Sequence, residues 1–190
     1  SLVAVFDAED IPDRRQLRTA AEAFAAAPPA MACFQASLRF FNANRDWLTR
    51  QFAIEYGSLF EYVLPTLAHL GLPLPLGGTS NHFRIDVLRA IGAWDPHNVT
   101  EDADIGLRLA RLGYSTGMLP SATQEEATCG LANWMRQRAR WQKGYLQTWL
   151  VHMRSPRQLF AELGLGGFLA VQVMLLGTVV SALLFPPLVA

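Results

Sequence analysis

Cysteine is scarce in this chain of 190 residues: there are two, Cys33 and Cys129, in unrelated contexts. Neither has metal-ligand spacing, and two thiols in a chain of this size do not make a disulfide scaffold. They read as reduced thiols on a cytoplasmic domain. Net charge is also lacking. Sixteen Lys and Arg balance sixteen Asp and Glu, which argues against nucleic-acid binding, since that needs a net basic surface. No internal repeat is visible, and no low-complexity tract beyond a run of alanines. A cleavable signal peptide is absent from the start. The chain opens on Ser1, however, and its first residues already read as the middle of a strand. The expectation is therefore that an N-terminal part precedes it. The length suffices for one domain with a real core.

What is present begins with Leu2 to Phe6, an unbroken apolar run of β-formers expected to be a fully buried parallel strand. Asp7, Glu9 and Asp10 follow at its carboxyl end, where open α/β sheets bind ligands. Pro12 and Asp13 are expected to open a helix running to about Ala27, where Pro28 and Pro29 stop it. Ala30 to Phe40 has the composition of a second strand. From Arg45 to about Leu70 the pattern is helical, with Pro65 expected to kink or divide it. Leu72 to Leu76 is a proline-spaced loop leading to Gly77-Gly78-Thr79-Ser80-Asn81. Its glycines either let backbone approach a ligand or make an ordinary tight turn. A strand end and a short helix are expected over His82 to Ile91. A short strand is expected over Tyr114 to Leu119, with Gln124, Glu125 and Glu126 in the loop that follows.

The stretch Thr100 to Asp104 sets three carboxylates at the start of a helix whose apolar face is Ile105, Leu107, Leu109 and Leu112. Thr100 reads as its N-cap and Gly113 as the left-handed residue after it. Acidic residues in a first turn also simply complement the helix dipole, so this stretch alone decides nothing. Leu131 to His152 is a long helical candidate carrying Trp134, Trp141, Tyr145 and Trp149 among Arg136, Arg138, Arg140 and Lys143. Aromatics interleaved with cations suit a helix lying in a membrane interface. Leu163 to Phe185 then contains no charged residue. It is long enough to span a bilayer, its one strongly polar side chain is Gln172, and Pro186 and Pro187 are expected to end it. Arg154 and Arg157 place its N-terminal side in the cytoplasm.

Three features need a joint chemistry: the carboxylates after the first strand, Glu101 and Asp102, and Gln137-Arg138-Ala139-Arg140-Trp141. Gln137, Arg140 and Trp141 fall at i, i+3 and i+4 and so share a helix face. An arginine fork suits a phosphate, and an indole ring suits the face of a sugar or base. Two carboxylates one residue apart can hold Mg²⁺ or Mn²⁺, which normally also binds substrate phosphates. A third carboxylate elsewhere can take a proton. Together these read as metal-dependent handling of a diphosphate-linked substrate beside a membrane.

Val-Phe-Asp-Ala-Glu-Asp, Gly-Gly-Thr-Ser-Asn-His-Phe-Arg, Thr-Glu-Asp-Ala-Asp-Ile-Gly and Gln-Arg-Ala-Arg-Trp-Gln-Lys-Gly occur in that order. In this the chain resembles the membrane-embedded family 2 glycosyltransferases, the group that includes cellulose and hyaluronan synthases. The resemblance runs from Leu2 to the apolar span. It implies an α/β fold of the GT-A (Rossmann-like) type, a nucleotide-diphosphate-sugar donor, and inverting transfer to a growing glycan. It implies that Asp7 and Glu9 hold the divalent metal, Glu9 standing where the family has a second Asp. Asp102 would be the general base and Glu101 an acceptor-side or supporting residue. Gln137 and Arg140 would lie near the donor diphosphate, with Trp141 as a stacking platform, and Thr79, Ser80 and Asn81 would line the donor or acceptor site. The family's earlier nucleotide-binding strand and its later membrane helices are not in this chain, so the fragment is expected to be inactive by itself.

The expected layout is a partial catalytic domain over 1–130, an interfacial amphipathic helix over 131–157 and a transmembrane segment over 158–190. Membrane lipids are then partners, and the catalytic part is cytoplasmic. Three alternatives stay open: one-step sugar transfer to a lipid carrier, an aspartyl-nucleophile phosphohydrolase, and a non-enzymatic membrane scaffold.

Overall fold

The structure, a computed structural model, describes residues 1–184 in full and the backbone as far as Val189. Five strands make one mixed sheet. In spatial order they are β1 (Leu2–Val5), β4 (Asn81–Arg84), β3 (Met31–Phe40), β5 (Ser115–Glu125) and β2 (Ile11–Pro12). The long central pair, β3 and β5, is parallel; the other pairs are antiparallel.

β1 is thus not the buried parallel strand expected of it. It pairs antiparallel with β4, Leu2 opposite Arg84, and lies at one end of the strand order with its residues exposed or half-buried. An apolar run without alternation reports only that both faces meet other atoms. The direction of pairing is set by how the chain returns. Pro12 does not open a helix either. It pairs with Thr123 in β2, and α1 (Gln16–Ala26) begins after a turn at Asp13. Proline is tolerated there because an edge strand has no further partner for its missing N–H.

β5 runs well past Leu119. Ala36 stands opposite Leu119 and Ser37 opposite Ala122, so Pro120 and Ser121 sit in a bulge and pairing resumes as far as Glu125. A bulge is where a strand accepts proline. Its consequence is that Glu125 ends a strand rather than riding in a loop.

The helical stretch after β3 is divided just ahead of Pro65, which falls in the first turn of its last segment. α2 (Trp47–Ser58) is capped by Asp46, which exchanges bonds with Thr49. One wide turn, Leu59–Val63, separates it from α3 (Leu64–His69). In that turn the Leu64 N–H reaches back to the Leu59 carbonyl. The i→i+5 pattern absorbs the break next to a proline that cannot donate. After β4 come α4 (Ile85–Ala90) and α5 (Glu101–Arg111).

The core lies between the sheet, the wide turn, the proline-spaced loop and α5. Phe83, Leu64, Leu74, Ile105 and Leu109 are fully buried in it, each worth about 1.5–3 kcal/mol. α5 lies so close to the loop that a Cβ on Gly106 would overlap the Leu74 carbonyl oxygen. Ile105, Leu107 and Leu109 face inward as expected, whereas Leu112 is exposed past the helix end. Gly113 has the expected left-handed backbone, φ +80°.

The rest of the chain is helical: α6 (Leu131–His152), α7 (Pro156–Val171), a second wide turn at Gln172–Gly177, and α8 (Thr178–Val189). α7 is interrupted at Gly164, φ 66°. Among the described residues Pro156–Leu184 is the one helical stretch long and apolar enough to cross a membrane, with a mean hydropathy of 2.1. Gln172 turns inward from it, accepting a bond from Trp149 Nε1 at 2.8 Å. The stop expected at Pro186 and Pro187 does not occur: the helical backbone runs through both to Val189.

Candidate active site

The turn after β1, the end of β5, the start of α5 and one face of α6 converge on a cleft of about 470 Å³. Its floor is acidic: Asp7, Glu9, Asp10 and Glu125. The Asp7 N–H donates to Asp10 Oδ2 at 2.8 Å and to Thr79 Oγ1 at 3.2 Å, and the Thr79 hydroxyl donates to the same Asp10 oxygen. Asp10 Oδ1 and Glu125 Oε1 are buried without a hydrogen-bond partner among the described residues. Burial raises the Asp7 carboxyl, and the charges of Asp10, Glu9 and Glu101 raise it further. Burial, then the charges of Asp10, Asp7 and Glu9, push Glu125 up to about 8. Mutual repulsion in a partly dry site has this effect on carboxylates.

Glu101 and Asp102 form one wall, opposite Gly77, Gly78 and Thr79. Asp102 Oδ1 accepts from the Ala103 N–H at 2.7 Å. Its Oδ2 faces the backbone of Gly78, where a Cβ would stand 3.4 Å away. Desolvation pushes Asp102 up to about 6, against the pull of the Ala103 N–H. Tyr145 of α6 lines the same cleft and is pushed up to about 12 by burial and then by the Asp102 charge.

Thr100 stands at the N-cap position of α5, but its hydroxyl makes no capping bond. It lies 3.2 Å from Thr148 Oγ1 and 3.5 Å from Asn98 Oδ1. A buried hydroxyl takes whatever partner lies in reach, and here a neighbouring helix is nearer than the first-turn N–H groups. Asp104, the last of the three first-turn carboxylates, is 5% exposed. It accepts from Arg108 Nε at 2.7 Å and from His152 Nε2 at 2.8 Å. Burial alone would raise its carboxyl, but His152 and Arg108 outweigh that and hold it below the usual range.

The other wall belongs to α2, the wide turn and α6. Trp141 is half-buried, its ring 6.0 Å from Phe52 and 6.5 Å from Tyr56. Arg138 lies 5.0 Å over the Trp141 ring and 4.6 Å over Phe52, and forks onto Glu55. Gln137 Oε1 accepts from the Thr128 hydroxyl at 3.3 Å. Arg140 is exposed at the rim and makes no ion pair among the described residues. The α6 aromatics expected to face a membrane interface turn towards the protein instead. Trp134 and Trp141 join the Phe40–Phe52 cluster, and Tyr145 and Trp149 join Leu107, Leu159 and Val171.

Of the residues singled out from the sequence, Asp7, Glu9, Thr79, Glu101, Asp102, Gln137, Arg140 and Trp141 all line this one cleft. Ser80 and Asn81 do not. Both are buried, Ser80 bonded to Thr123 and Asn81 to the Gly77 carbonyl, so they hold the loop rather than face a ligand. Glu125, Arg138, Tyr56 and Tyr145 also line the cleft, and sequence reasoning misses them. Glu125 is hidden by Pro120, which reads as the end of a strand. Arg138 does carry a signal, since it lies inside the Gln137–Trp141 stretch.

Two carboxylates reach the cleft together at Asp7 and Glu9, and no group of three His, Cys, Asp or Glu among the described residues could hold a cation alone. The fit is to a Mg²⁺ or Mn²⁺ ion that takes one or two carboxylates and completes its shell with substrate oxygens and water. The unpartnered oxygens of Asp10 and Glu125, and the burial and repulsion that together lift Glu125, are what such a charge would offset.

A family model described as glycosyl transferase family group 2 matches residues 2–190. The chain is 29% identical over 180 residues to beta-monoglucosyldiacylglycerol synthase of Synechocystis sp., covering 92% of this chain and 37% of that protein. It is 31% identical over 150 residues to the cellulose synthase catalytic subunit (UDP-forming) of Pseudomonas fluorescens, covering 76% and 20%. It is 27% identical over 152 residues to the probable glucomannan 4-beta-mannosyltransferase 10 of Arabidopsis thaliana, covering 71% and 27%. Each of these relatives is thus much longer than the part matched here. Among solved structures the fold is similar to mannosyltransferase PcManGT from Pyrobaculum calidifontis in complex with GDP-Man and Mn²⁺. The TM-score is 0.58 at 18% identity, over 95% of this chain and 48% of that one.

Proposed function

This chain belongs to glycosyl transferase family group 2, and from that premise we propose that it transfers a sugar, with inversion, from a nucleotide-diphosphate-sugar donor to a growing glycan at the cytoplasmic face of a membrane. The observation that carries this reading is the single cleft joining the Asp7–Glu9 pair, Asp102 and the Gln137–Trp141 face. The fold it shares with a mannosyltransferase bound to GDP-Man and Mn²⁺ supports the donor class and the metal.

Asp7 and Glu9 would hold Mg²⁺ or Mn²⁺ against the donor diphosphate. The cation supplies positive charge that stabilises the diphosphate as it departs. Arg140, exposed at the rim, adds a second positive group for the same oxygens. Asp102 accepts the proton of the acceptor hydroxyl as that oxygen attacks the anomeric carbon from the face opposite the leaving group. A carboxyl raised to about 6 suits a general base, because it is ionised at neutral pH yet more basic than an ordinary aspartate. Trp141 offers a flat wall to the acceptor sugar, and Glu101 stands beside the incoming hydroxyl.

In this reading residues 1–130 are part of the catalytic domain, 131–157 lie at the membrane surface and 158–190 enter the bilayer. Exposed Leu146, Leu150 and Val151 on α6, and Leu165, Leu169 and Val173 beyond it, supply apolar surface for lipid. A second reading, transfer to a lipid-linked acceptor, is favoured by one feature. Met174 and Thr178, from the apolar stretch itself, line the cleft, so an acceptor rising out of the bilayer would meet it directly.

The test uses the full-length protein in lipid nanodiscs with radiolabelled nucleotide sugars and, in turn, oligosaccharide and diacylglycerol acceptors. Transfer is expected to one acceptor class, to stop in EDTA and to return with Mn²⁺ or Mg²⁺. Full activity in EDTA would take Asp7 and Glu9 out of the metal role. Absence of transfer from every donor would end the transferase reading.

A further inference from the structure

α6 turns three buried residues toward the start of α5: Gly144, Thr148 and His152, spaced four apart and so stacked on one face. Each meets a different point of the segment that carries Asp102. A Cβ on Gly144 would run into Thr100, so the two backbones approach there as closely as glycine allows. Thr148 Oγ1 accepts from Asn98 Nδ2 at 2.8 Å and lies 3.2 Å from the Thr100 hydroxyl. His152, 3% exposed, bonds Asp104 through Nε2 at 2.8 Å.

The other ring nitrogen also has a partner. Nδ1 lies 2.8 Å from Arg111 Nη1, and a guanidinium only donates. Nδ1 therefore accepts, and Nε2 carries the proton that Asp104 receives. Both of its ring nitrogens are thus paired. Arg111 continues to Glu162 on α7, while Arg108 ties Asp104 to the Ile91 and Ala93 carbonyls. Nothing in this network touches the cleft, yet it joins the helix of Asp102 to the helix of Gln137, Arg140 and Trp141.

We propose that His152 is a positioning residue: by holding Asp104 it fixes the first turn of α5, and with it Asp102, at a set distance from the Gln137–Trp141 face. The consequence for catalysis rests on the transferase reading above; the placement of Asp102 does not. A base that must meet a hydroxyl aimed from another helix gains from such a strut, because a misplacement of about 1 Å can cost about a hundredfold in rate.

His152→Phe keeps a ring but leaves Asp104 and Arg111 without their partner. His152→Gln can still donate to Asp104 and accept from Arg111, and it cannot be protonated. Should His152→Phe fail to fold, His152→Asn, too short to reach both partners, replaces it. In the full-length protein in nanodiscs, His152→Phe is expected to lower kcat at least about tenfold while the donor KM stays within about twofold, and His152→Gln to stay within about threefold of wild type in both. Wild-type kcat in His152→Phe, or equal damage in both variants, overturns the proposal. A second readout is independent of turnover: infrared titration of the Asp102 carboxyl, with Asp102→Asn as the blank. Wild type and His152→Gln should titrate near 6, and His152→Phe lower, as water reaches a loosened helix start. An unchanged titration in His152→Phe also overturns the proposal. If wild type transfers no sugar, the transferase reading falls while this titration still decides the positioning.

Discussion

The floor of the cleft and the seam between α5 and α6 hold similar residue types under opposite conditions. At the floor, Asp7, Glu9, Asp10 and Glu125 crowd together with no cation paired to them among the described residues, and two buried oxygens go unpartnered. At the seam, Asp104, His152, Arg108 and Arg111 are matched donor to acceptor. The contrast is sharpest on α5, where residues two apart part company: Asp102 is raised to about 6 while Asp104 is held low. A fold gains order from a satisfied polar network, and an unsatisfied one persists where a ligand completes it. On the proposed reading the seam is architecture, and the floor with its neighbouring Asp102 is where the chemistry belongs.

If that division is right, the largest effect belongs to Asp102. Asp102→Asn should lower transfer by about 10³-fold, within the range of a lost general base, and leave donor binding intact. Normal turnover by that variant would sink the assignment. The base must be ionised, so wild-type transfer should fall about tenfold per pH unit below about 6, the value to which desolvation lifts Asp102. That limb should be missing from the residual rate of Asp102→Asn; a limb that persists there belongs to another group.

At Gly144 the seam should break differently, through stability. Gly144→Ala would force a methyl into Thr100, an overpacking that costs about 1–3 kcal/mol. For a chain of this size each kcal/mol is worth about 2–4 °C in Tm. An unchanged melting curve would mean that α6 does not sit on α5 as described.

The sequence shows the site more clearly than the frame that carries it. Asp7, Glu9 and the Gln137–Trp141 face can be picked out because their chemistry is local: carboxylates one residue apart, or residues at i, i+3 and i+4 on a helix; Asp102 is singled out by the family resemblance. The strands' partners cannot. Nothing in Leu2 to Val5 says that β4 will run against it, and Pro120 hides the continuation of β5 because a bulge depends on the partner strand. Asp104 misleads for the same reason. Its partner His152 is distant in sequence, and an acidic residue in a first helical turn looks like any other until a second helix covers it. Thr100 has the residue type and position of a cap, and only the approach of Thr148 diverts its hydroxyl.

The smallest expected effect tests the floor without asking for activity. Burial, and then the charges of Asp10, Asp7 and Glu9, push Glu125 up to about 8 in the folded chain against an ordinary 4.5. Between those values the folded protein holds a proton that the unfolded chain has released. Stability from this group is therefore fully present below pH 4.5 and lost as pH rises through 8. Glu125→Gln removes that dependence. At about pH 4 its Tm should match wild type, and at about pH 8.5 it should exceed wild type by about 2–4 °C, equivalent to about 1 kcal/mol once solvent at the cleft mouth has screened the repulsion. Mn²⁺ added at the higher pH should raise the wild-type Tm, because a cation relieves the same repulsion that the amide abolishes. If the two proteins melt alike across the whole range, the floor is as well satisfied as the seam and the contrast between them fails.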